Sequence, residues 1–206
     1  MDKEFINLFF EKGILRISSF DKFRKYTDEV RGDKSEGGGA ILAKSDKEGF
    51  TFNLMTRVGE NGYMLSTSLV NSQAIKNKFK TDGVFKIKDT INFAASISNS
   101  LLGNDQVYIG FCNYQEGRLI DKEIKGMSIN DFTNDKGEFI IGGPGMAKRM
   151  NEIVGNGIDL LYLKENKYQT QAEFRFVWTI KTQFWGMNEY VDIECKEAIQ
   201  FCERIE

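Results

Sequence analysis

Three separate groups of residues in this sequence carry side chains that could do chemistry. Arg16 stands in the middle of a strand-like run, and a Ser-Thr-Ser cluster occupies residues 66–68 of another. The third group is Gln-Ala-Glu at residues 171–173, at the start of a late predicted strand. Because alternate residues of a strand project to the same face, we expect Gln171 and Glu173 to point the same way. Together the groups offer a guanidinium, hydroxyls, an amide and a carboxylate.

The chain has no histidine among its 206 residues. This absence excludes Ser-His-Asp and Cys-His hydrolysis, zinc sites that need imidazole, and proton relays built on histidine. The glycine-rich stretches at residues 37–39 and 142–145 do not have the strand-to-helix spacing of a phosphate-binding loop. Chemistry near neutral pH must therefore use carboxylates, Tyr, Lys, Arg, hydroxyls or thiols, or the reactivity of a cofactor.

The order Arg, Ser-Thr-Ser, Gln-x-Glu resembles the motif set of the Arg-Ser-Glu class of mono-ADP-ribosyltransferases. The resemblance implies NAD as cofactor, with Arg16 contacting its phosphates and Glu173 stabilising an oxocarbenium-like transition state. It also implies that Gln171 orients the acceptor. The residues that it assigns to the nicotinamide pocket are Ser66, Thr67 and Ser68. Breaking a glycosidic bond requires a carboxylate beside developing positive charge and donors beside the pyrophosphate, so this chemistry needs no histidine.

A longer part of the chain is similar to an uncharacterised family of bacterial and phage proteins, some of them associated with abortive infection. The similarity covers most of residues 13–180. The matching residues are Leu15, Arg16, Arg31, Gly32, Asp33, Glu36, Gly37, Leu65, Ser66, Tyr114, Lys167, Glu173, Phe174 and Arg175. It implies a role in antiviral defence or in phage counter-defence. It also adds Arg31, Asp33, Glu36 and Arg175 as candidates for binding a substrate or partner.

We therefore expect an NAD-dependent transferase that modifies or senses a macromolecular acceptor, either a protein or a nucleic acid. Two other interpretations stay open. Residues 27–39 are polar, charged and rich in glycine, so they could form an exposed loop through which a non-catalytic phage or defence factor binds a protein partner. Alternatively, Asp33, Glu36 and Glu173 could hold magnesium in a nuclease, since carboxylates suit a hard cation.

Charge and cysteine content indicate the environment of the protein. Lys plus Arg number 28 and Asp plus Glu number 30, so the formal charge is −2. This charge gives no reason to expect a strongly cationic surface, although a local basic patch is compatible with it. Cys112, Cys195 and Cys202 lie in or beside apolar runs without Cys-x-x-Cys spacing, which favours buried free thiols in a reducing cytosol. No apolar run approaches the roughly 20 residues of a membrane span, and the start is not typical of a signal peptide. We expect a cytoplasmic protein without a membrane segment.

Hydrophobic periodicity predicts a single α+β domain over residues 1–206, with mostly antiparallel mixed sheets and several short helices packed around them. The expected helices cover residues 2–12, 20–26, 71–79, 90–102, 146–154 and 196–204. The expected strands cover residues 13–18, 40–44, 50–57, 63–69, 84–87, 106–114, 158–164, 171–180 and 189–195. We expect the three strands within 40–69 to form an antiparallel meander, and 106–114 to be a central strand.

Overall fold

The computed structural model describes residues 1–28, 30–140, 142–181 and 188–205. Helices and strands are both well represented, so the predicted α+β class is confirmed. The α-helices in these ranges are α1 Lys3–Lys12, α2 Phe20–Lys25, α3 Gln73–Phe79, α4 Thr90–Ser100 and α5 Pro144–Gly155. The strands are β1 Ile14–Ser19, β2 Gly38–Ser45, β3 Thr51–Arg57, β4 Gly62–Ser68, β5 Phe85–Ile87, β6 Asn104–Phe111, β7 Asn113–Gln115, β8 Leu119–Ile124, β9 Leu163–Glu165, β10 Glu173–Ile180, β11 Tyr190–Glu194 and β12 Cys202–Arg204. Short 3-10 helices cover Ile129–Asp131, Asn156–Leu161, Asn166–Gln171 and Lys196–Phe201.

Packing divides the chain into two compact units, each assembled from separate segments. The first unit comprises Met1–Glu36, Gly59–Cys112 and Lys167–Glu206. The second comprises Gly37–Val58 and Asn113–Asn166. The expectation of one domain over the whole chain stays a prediction.

A five-stranded antiparallel sheet forms the centre of the first unit, with strand order β11-β1-β4-β10-β6. β10 is an interior strand whose residues are all buried except the half-buried Thr179. The prediction that residues 106–114 form a central strand was wrong, because β6 lies at the edge of this sheet. The polar start of β6, Asn104 to Gln106, suits an edge, whereas the apolar run of β10 can be buried on both faces.

One face of this sheet carries the hydrophobic core of the first unit. α1, α4 and the 3-10 helix Lys196–Phe201 contribute apolar side chains to the core beside the sheet residues Leu15, Ile17, Phe176 and Trp178. The Trp178 indole Nε1 donates to the Ala94 carbonyl at 3.3 Å and to Ser98 Oγ at 3.1 Å. This hydrogen bonding satisfies the one polar group of the largest side chain in the core.

Local signals explain where the first elements begin and end. Gly13 has φ of 74° and its N–H donates to the Phe9 carbonyl at 2.7 Å, which ends α1 as the sequence predicts. Ser19 caps α2 through its side-chain oxygen, which accepts from the Lys22 N–H. Leu15 and Ile17 are buried on one face of β1 while Arg16 projects from the other, also as predicted.

The second unit contains a three-stranded sheet of order β3-β2-β8, with an antiparallel and a parallel pair. Its core includes Ile41, Ile153 and Phe132, and the Phe132 ring stacks on Phe52 with centroids 4.8 Å apart. The predicted meander was wrong in its third strand, because β4 pairs with β1 and β10 in the other sheet.

Two further predictions were wrong in the type of element. Residues 158–164 are mostly the 3-10 helix Asn156–Leu161, and only the end of the run enters β9. Residues 196–204 form the 3-10 helix Lys196–Phe201 and then β12, which pairs with β5. In both cases the predicted type was wrong because apolar spacing alone does not separate short helices from strands.

No helix in the described ranges has both the length and the apolar character needed to cross a bilayer. Cys112, Cys195 and Cys202 are buried free thiols, which confirms that part of the expectation. Burial raises the pKa of the Cys195 thiol to about 11 and that of the Cys202 thiol to about 12. Because the thiolate is the reactive form, these two side chains are poor nucleophiles at neutral pH.

We expect Cys195 and Cys202 to react with a thiol reagent at pH 8 at least about 100-fold more slowly in the native protein than in the urea-unfolded chain. The reason is the small thiolate fraction combined with lack of access. Mass-spectrometric mapping of iodoacetamide labelling over time measures both sites. Equal labelling rates in the two states would contradict the assigned burial.

We also expect Gly13→Ala to lower the free energy of unfolding by about 2–4 kcal/mol, against about 1 kcal/mol for Gly49→Ala. Both glycines have positive φ, but a Cβ on Gly13 would come within 2.8 Å of the Lys196 Cα, whereas nothing lies within 4 Å of one on Gly49. Urea denaturation measures the free energy of unfolding of both variants. The loss in Gly49→Ala reports backbone strain alone, and the additional loss in Gly13→Ala reports the clash of the new Cβ with Lys196. Equal decreases in the free energy of unfolding would contradict this prediction, because they would mean that the backbone at Lys196 moves to accommodate the Cβ at little cost.

Candidate functional site

The strands that carry the three motifs are neighbours in the sheet of the first unit, in the order β1-β4-β10. Ser18 pairs with Met64, Ser66 with Arg175 and Ser68 with Glu173. Paired residues of antiparallel strands share a face, and so do alternate residues of one strand. The residues that therefore project from the face opposite the hydrophobic core are Arg16, Ser66, Ser68, Glu173 and Arg175. At least one residue of each motif therefore lies on this face of the sheet.

β1 and β4 pair over a short distance only. Ser18 pairs with Met64 and Ser19 with Tyr63. Both strands lie within the described residues, and no other residues of β1 and β4 pair with each other. Beyond Ser18, β1 pairs only with β11 on its other side. The two strands therefore separate at the level where Arg16 and the hydroxyl cluster stand.

Arg175 is the centre of the site. Its side chain is fully buried, and its guanidinium forms a bidentate ion pair with Glu36, with Nη1–Oε1 at 2.7 Å and Nη2–Oε2 at 2.9 Å. Arg175 Nε donates to Glu173 Oε1 at 2.8 Å. Burial alone would lower the pKa of Arg175, but the carboxylates of Glu173 and Glu36 hold that pKa well above the usual value. Arg175 is therefore a permanent cation between two buried acids, the Glu36–Arg175–Glu173 triad.

Residues 27–39 are only in part the exposed loop that composition predicts, and the exposed residues among those described are Thr27, Asp28, Arg31, Lys34 and Ser35. Asp33 is 7% exposed and Glu36 is 1% exposed. The Asp33 carboxylate accepts from the Ser35 N–H at 3.0 Å, and the Glu36 carbonyl accepts from Arg24 Nε at 2.9 Å. The prediction was wrong for Asp33 and Glu36, which are buried because their carboxylates bond other groups of the chain.

Gln171 and Glu173 do not share a strand face, which corrects the expectation for this motif. Gln171 ends a 3-10 helix, and Ala172 has φ of 43°, so the chain turns before β10 begins at Glu173. The Gln171 amide Nε2 donates to the Val30 carbonyl at 2.9 Å. Gln171 thus ties the 27–36 segment to the start of β10.

Arg16 has different partners from those of Glu173. Its guanidinium forms a bidentate pair with Asp192, with both N–O distances at 2.7 Å, and it lies 4.0 Å from the centroid of the Tyr190 ring and 5.1 Å from that of Phe5. The hydrogen bonds that Arg16 donates to Asp192 raise the pKa of Arg16 and lower that of Asp192. The side chains of the pair are 35% and 40% exposed, so the ion pair is accessible to water.

The three hydroxyls have three different environments. Ser66 Oγ is buried and has no hydrogen-bond partner among the described residues. Thr67 projects toward the core face and donates to the Phe174 carbonyl at 2.9 Å, so it is separated from the other two. Ser68 Oγ donates to the Gln171 carbonyl at 2.8 Å. Of these three hydroxyls, only that of Ser66 is buried without a hydrogen bond to another described residue.

Arg31 is exposed, unlike the other two candidates of the predicted loop, Asp33 and Glu36. Its Nη2 donates to the Phe79 carbonyl at 2.6 Å, which connects the segment to the end of α3. The Tyr168 hydroxyl also reaches this segment, at 3.5 Å from the Gly32 carbonyl. Loop, α3 and the start of β10 are therefore linked by hydrogen bonds within the first unit.

Sequence reasoning did not foresee that Glu36 pairs with Arg175. Glu173 and Arg175, two residues apart on β10, share a face and are in contact. A signal for the missing partner was present: Arg175 stands between Phe174 and Phe176 in a strand that is otherwise nearly all apolar. A charge buried in such a strand requires a counter-charge from elsewhere in the chain.

The arrangement also bears on the magnesium interpretation. Two of its three carboxylates, those of Glu36 and Glu173, bind the guanidinium of Arg175. Among the described residues, no three acidic or cysteine side chains are grouped so that they could hold a metal ion. The geometry supports a guanidinium–carboxylate cluster.

Comparisons with protein-family models, with curated proteins and with solved structures return no match to this chain.

We expect Arg175→Met to lower the free energy of unfolding by about 3–5 kcal/mol, because the change leaves two buried carboxylates without their cation. The matched control is Arg16→Met, which removes an accessible ion pair and should cost about 1 kcal/mol or less. Urea denaturation at neutral pH measures both variants. Equal decreases in the free energy of unfolding of the two variants would contradict the central role assigned to the buried ion pairs of Arg175.

Proposed function

We propose that the protein is an NAD-dependent ADP-ribosyltransferase-like enzyme of a conflict between phage and bacterium, which cleaves the nicotinamide–ribose bond and modifies a macromolecular target. One observation carries the proposal. Arg16, Ser66 and Glu173 belong to three adjacent strands and project from the same face of the sheet. Their residue types are those that the chemistry of glycosidic cleavage requires.

The residues fit a dinucleotide in two respects. Ser66 Oγ is a buried hydroxyl with no partner in the described chain, so a ligand hydroxyl or amide could satisfy it. Arg16 is accessible, and an exposed ion pair such as that with Asp192 contributes only about 0.2–1 kcal/mol. A pyrophosphate, which can accept two parallel hydrogen bonds, can therefore replace Asp192 at little cost.

When bound, NAD supplies a labile glycosidic bond whose cleavage leaves positive charge on the ribose. Glu173 provides a carboxylate to stabilise that charge, and Arg175 holds the carboxylate in one position by the bond from Nε.

In this proposal Gln171 keeps the role of orienting the acceptor. Its amide is fixed by the Val30 carbonyl, and it precedes Glu173 by two residues. The acceptor would then approach beside the 27–36 segment. A purely partner-binding role for this segment is less favoured, because deleting residues 28–38 would remove Glu36 from its buried pair with Arg175.

The test is the release of nicotinamide from NAD by the wild type and by Glu173→Gln, together with NAD binding by calorimetry. We expect Glu173→Gln to lower the rate about 100-fold or more while the Kd for NAD changes little, since the lost interaction acts in the transition state. Arg16→Gln should instead weaken binding. Glu194→Gln, on an exposed side chain of β11, is the matched control and should retain the wild-type rate.

Thermal unfolding of each variant separates loss of chemistry from loss of fold. If the wild type neither binds NAD nor releases nicotinamide with protein or nucleic-acid acceptors, the proposed function is rejected. If Glu173→Gln retains the wild-type rate, the role of Glu173 is rejected.

A further inference from the structure

β6 is an edge strand of the five-stranded sheet, and its outer side is open. The sheet order ends at β6, and within the described residues only β10 pairs with it. Gln106, Val107 and Phe111 of this strand are exposed. A strand at the edge of a sheet presents unpaired N–H and C=O groups, which form a template for pairing with another chain.

The hydrogen bonding between β6 and β10 shows which main-chain groups of β6 point outward. The Cys112 N–H donates to the Glu173 carbonyl at 3.0 Å. Hydrogen-bonded pairs of an antiparallel ladder recur at every second residue, so the main-chain groups of Gly110 and Tyr108 also face β10. The main-chain groups of the alternate residues face away from β10. These residues are Val107, Ile109 and Phe111.

The side chains of these three residues extend the apolar layer of the sheet to its edge. In the ladder they lie opposite Trp178, Phe176 and Phe174, whose side chains belong to the core of the first unit. The Phe111 ring contacts that of Phe174 with centroids 5.1 Å apart, yet Phe111 is 66% exposed. The apolar layer therefore ends at side chains that are available for contact with a further strand.

The two edges of this sheet differ in charge. β11, at the opposite edge, carries Asp192 and Glu194. From Gln106 to Phe111, β6 contains no charged residue and no proline. Edges that remain free in native proteins are commonly protected by charged side chains, proline or bulges. By this criterion β11 is protected against pairing with another chain, and this run of β6 is not.

Charged residues and an irregular register lie at the start of β6. Asp105 precedes the uncharged run, and the Lys181 N–H donates to the chain just before the strand. The register between β6 and β10 also shifts at this end, between Thr179 and Ile180. The part of β6 suited to pairing is therefore the regular run that follows.

A second copy of the same strand fits this edge. An uncharged strand does not repel its own copy, and it offers no charge to attract a charged partner. Antiparallel pairing about a twofold axis is self-complementary, because the outward N–H and C=O groups of one copy meet those of the other. Protein interfaces are also depleted in charge at their centre and enriched in aromatic residues, here Tyr108 and Phe111.

The side chains select the position of the twofold axis. Pairing centred on Ile109 places Ile109 beside its own copy and Phe111 beside Val107 of the second copy, all on the apolar face. An axis at Val107 or at Tyr108 would instead place Asp105 beside an apolar residue of the second copy. Pairing centred on Ile109 is favoured because apolar and aromatic pairs across strands are stabilising and Asp105 then lies outside them.

We infer that the protein forms a twofold-symmetric dimer through antiparallel pairing of β6 with β6 of a second copy, centred on Ile109. This inference is independent of the proposed function. The two five-stranded sheets become one continuous sheet, and the apolar faces of both copies lie on the same side of it. The face that carries Glu173 and Arg175 is then the other side of the sheet in both copies.

The first test measures the oligomeric state of the full chain by sedimentation equilibrium over a range of protein concentrations. The variant is Phe111→Lys. The matched control is Met55→Lys, which places the same charge on a similarly exposed apolar residue of the second unit. We expect the wild type and the control to dimerise, and the Kd of the variant dimer to be about 100-fold higher or more, because the symmetry repeats the lost apolar contact twice.

Val107→Pro is a second variant, which acts on the main chain. Because the Val107 N–H faces outward, proline removes a donor of the dimer contact and keeps the ladder with β10. We expect this variant to show the circular dichroism of the wild type and to sediment as a monomer. A monomeric wild type, or a dimer that persists in both variants, overturns the inference.

Single cysteines test the position of the axis. Residues in a hydrogen-bonded antiparallel pair have Cα atoms about 5.5 Å apart, within the range of a disulfide. Under mild oxidation we expect Ile109→Cys to form a covalent dimer and Val107→Cys to stay monomeric in denaturing electrophoresis. The three native cysteines are buried, so the wild type gives the background. A covalent dimer of Val107→Cys without one of Ile109→Cys overturns the assigned register.

Discussion

The fully buried guanidinium of Arg175 is the constraint to which the rest of the candidate site conforms. A cation in the interior of a protein must be surrounded by acceptors, because its desolvation costs several kcal/mol. Arg175 obtains them from Glu36 on an early segment and from Glu173 on its own strand. The early segment therefore has to fold onto the sheet. A stretch rich in glycine and charge becomes ordered because it supplies the counter-charge that β10 lacks.

The same constraint gives the two carboxylates different roles. Glu36 uses both oxygens on Arg175, so it is fully engaged in the structure of the site. Glu173 is bonded to Arg175 through Oε1 and stands at the first position of β10, opposite Ser68. The segment that carries Glu36 is held in turn by Gln171, and it presents Arg31 at the surface near α3. The buried ion pair and the exposed guanidinium of Arg31 are thus connected through one short stretch of chain.

Local features of this fold could be predicted from the sequence, and tertiary pairing could not. The ends of α1 and the start of α2 follow from Gly13 and Ser19, whose effects act within one turn of helix. The order of the motif strands and the burial of Glu36 depend on partners far along the chain, since Glu36 and Arg175 are 139 residues apart. The prediction that Gln171 and Glu173 share a strand face was wrong because strand periodicity does not extend across Ala172, whose φ is positive.

The contacts that complete the site join the early part of the polypeptide to its last part. Arg16 pairs with Asp192 across 176 residues, and Glu36 pairs with Arg175 across 139 residues. Contacts of such long range form late in folding, because the intervening chain must be ordered first. During translation the N-terminal segments emerge without these partners, and they stay incomplete until β10 and β11 have been made. The candidate site therefore remains incomplete on the ribosome until the last strands of its sheet have been made.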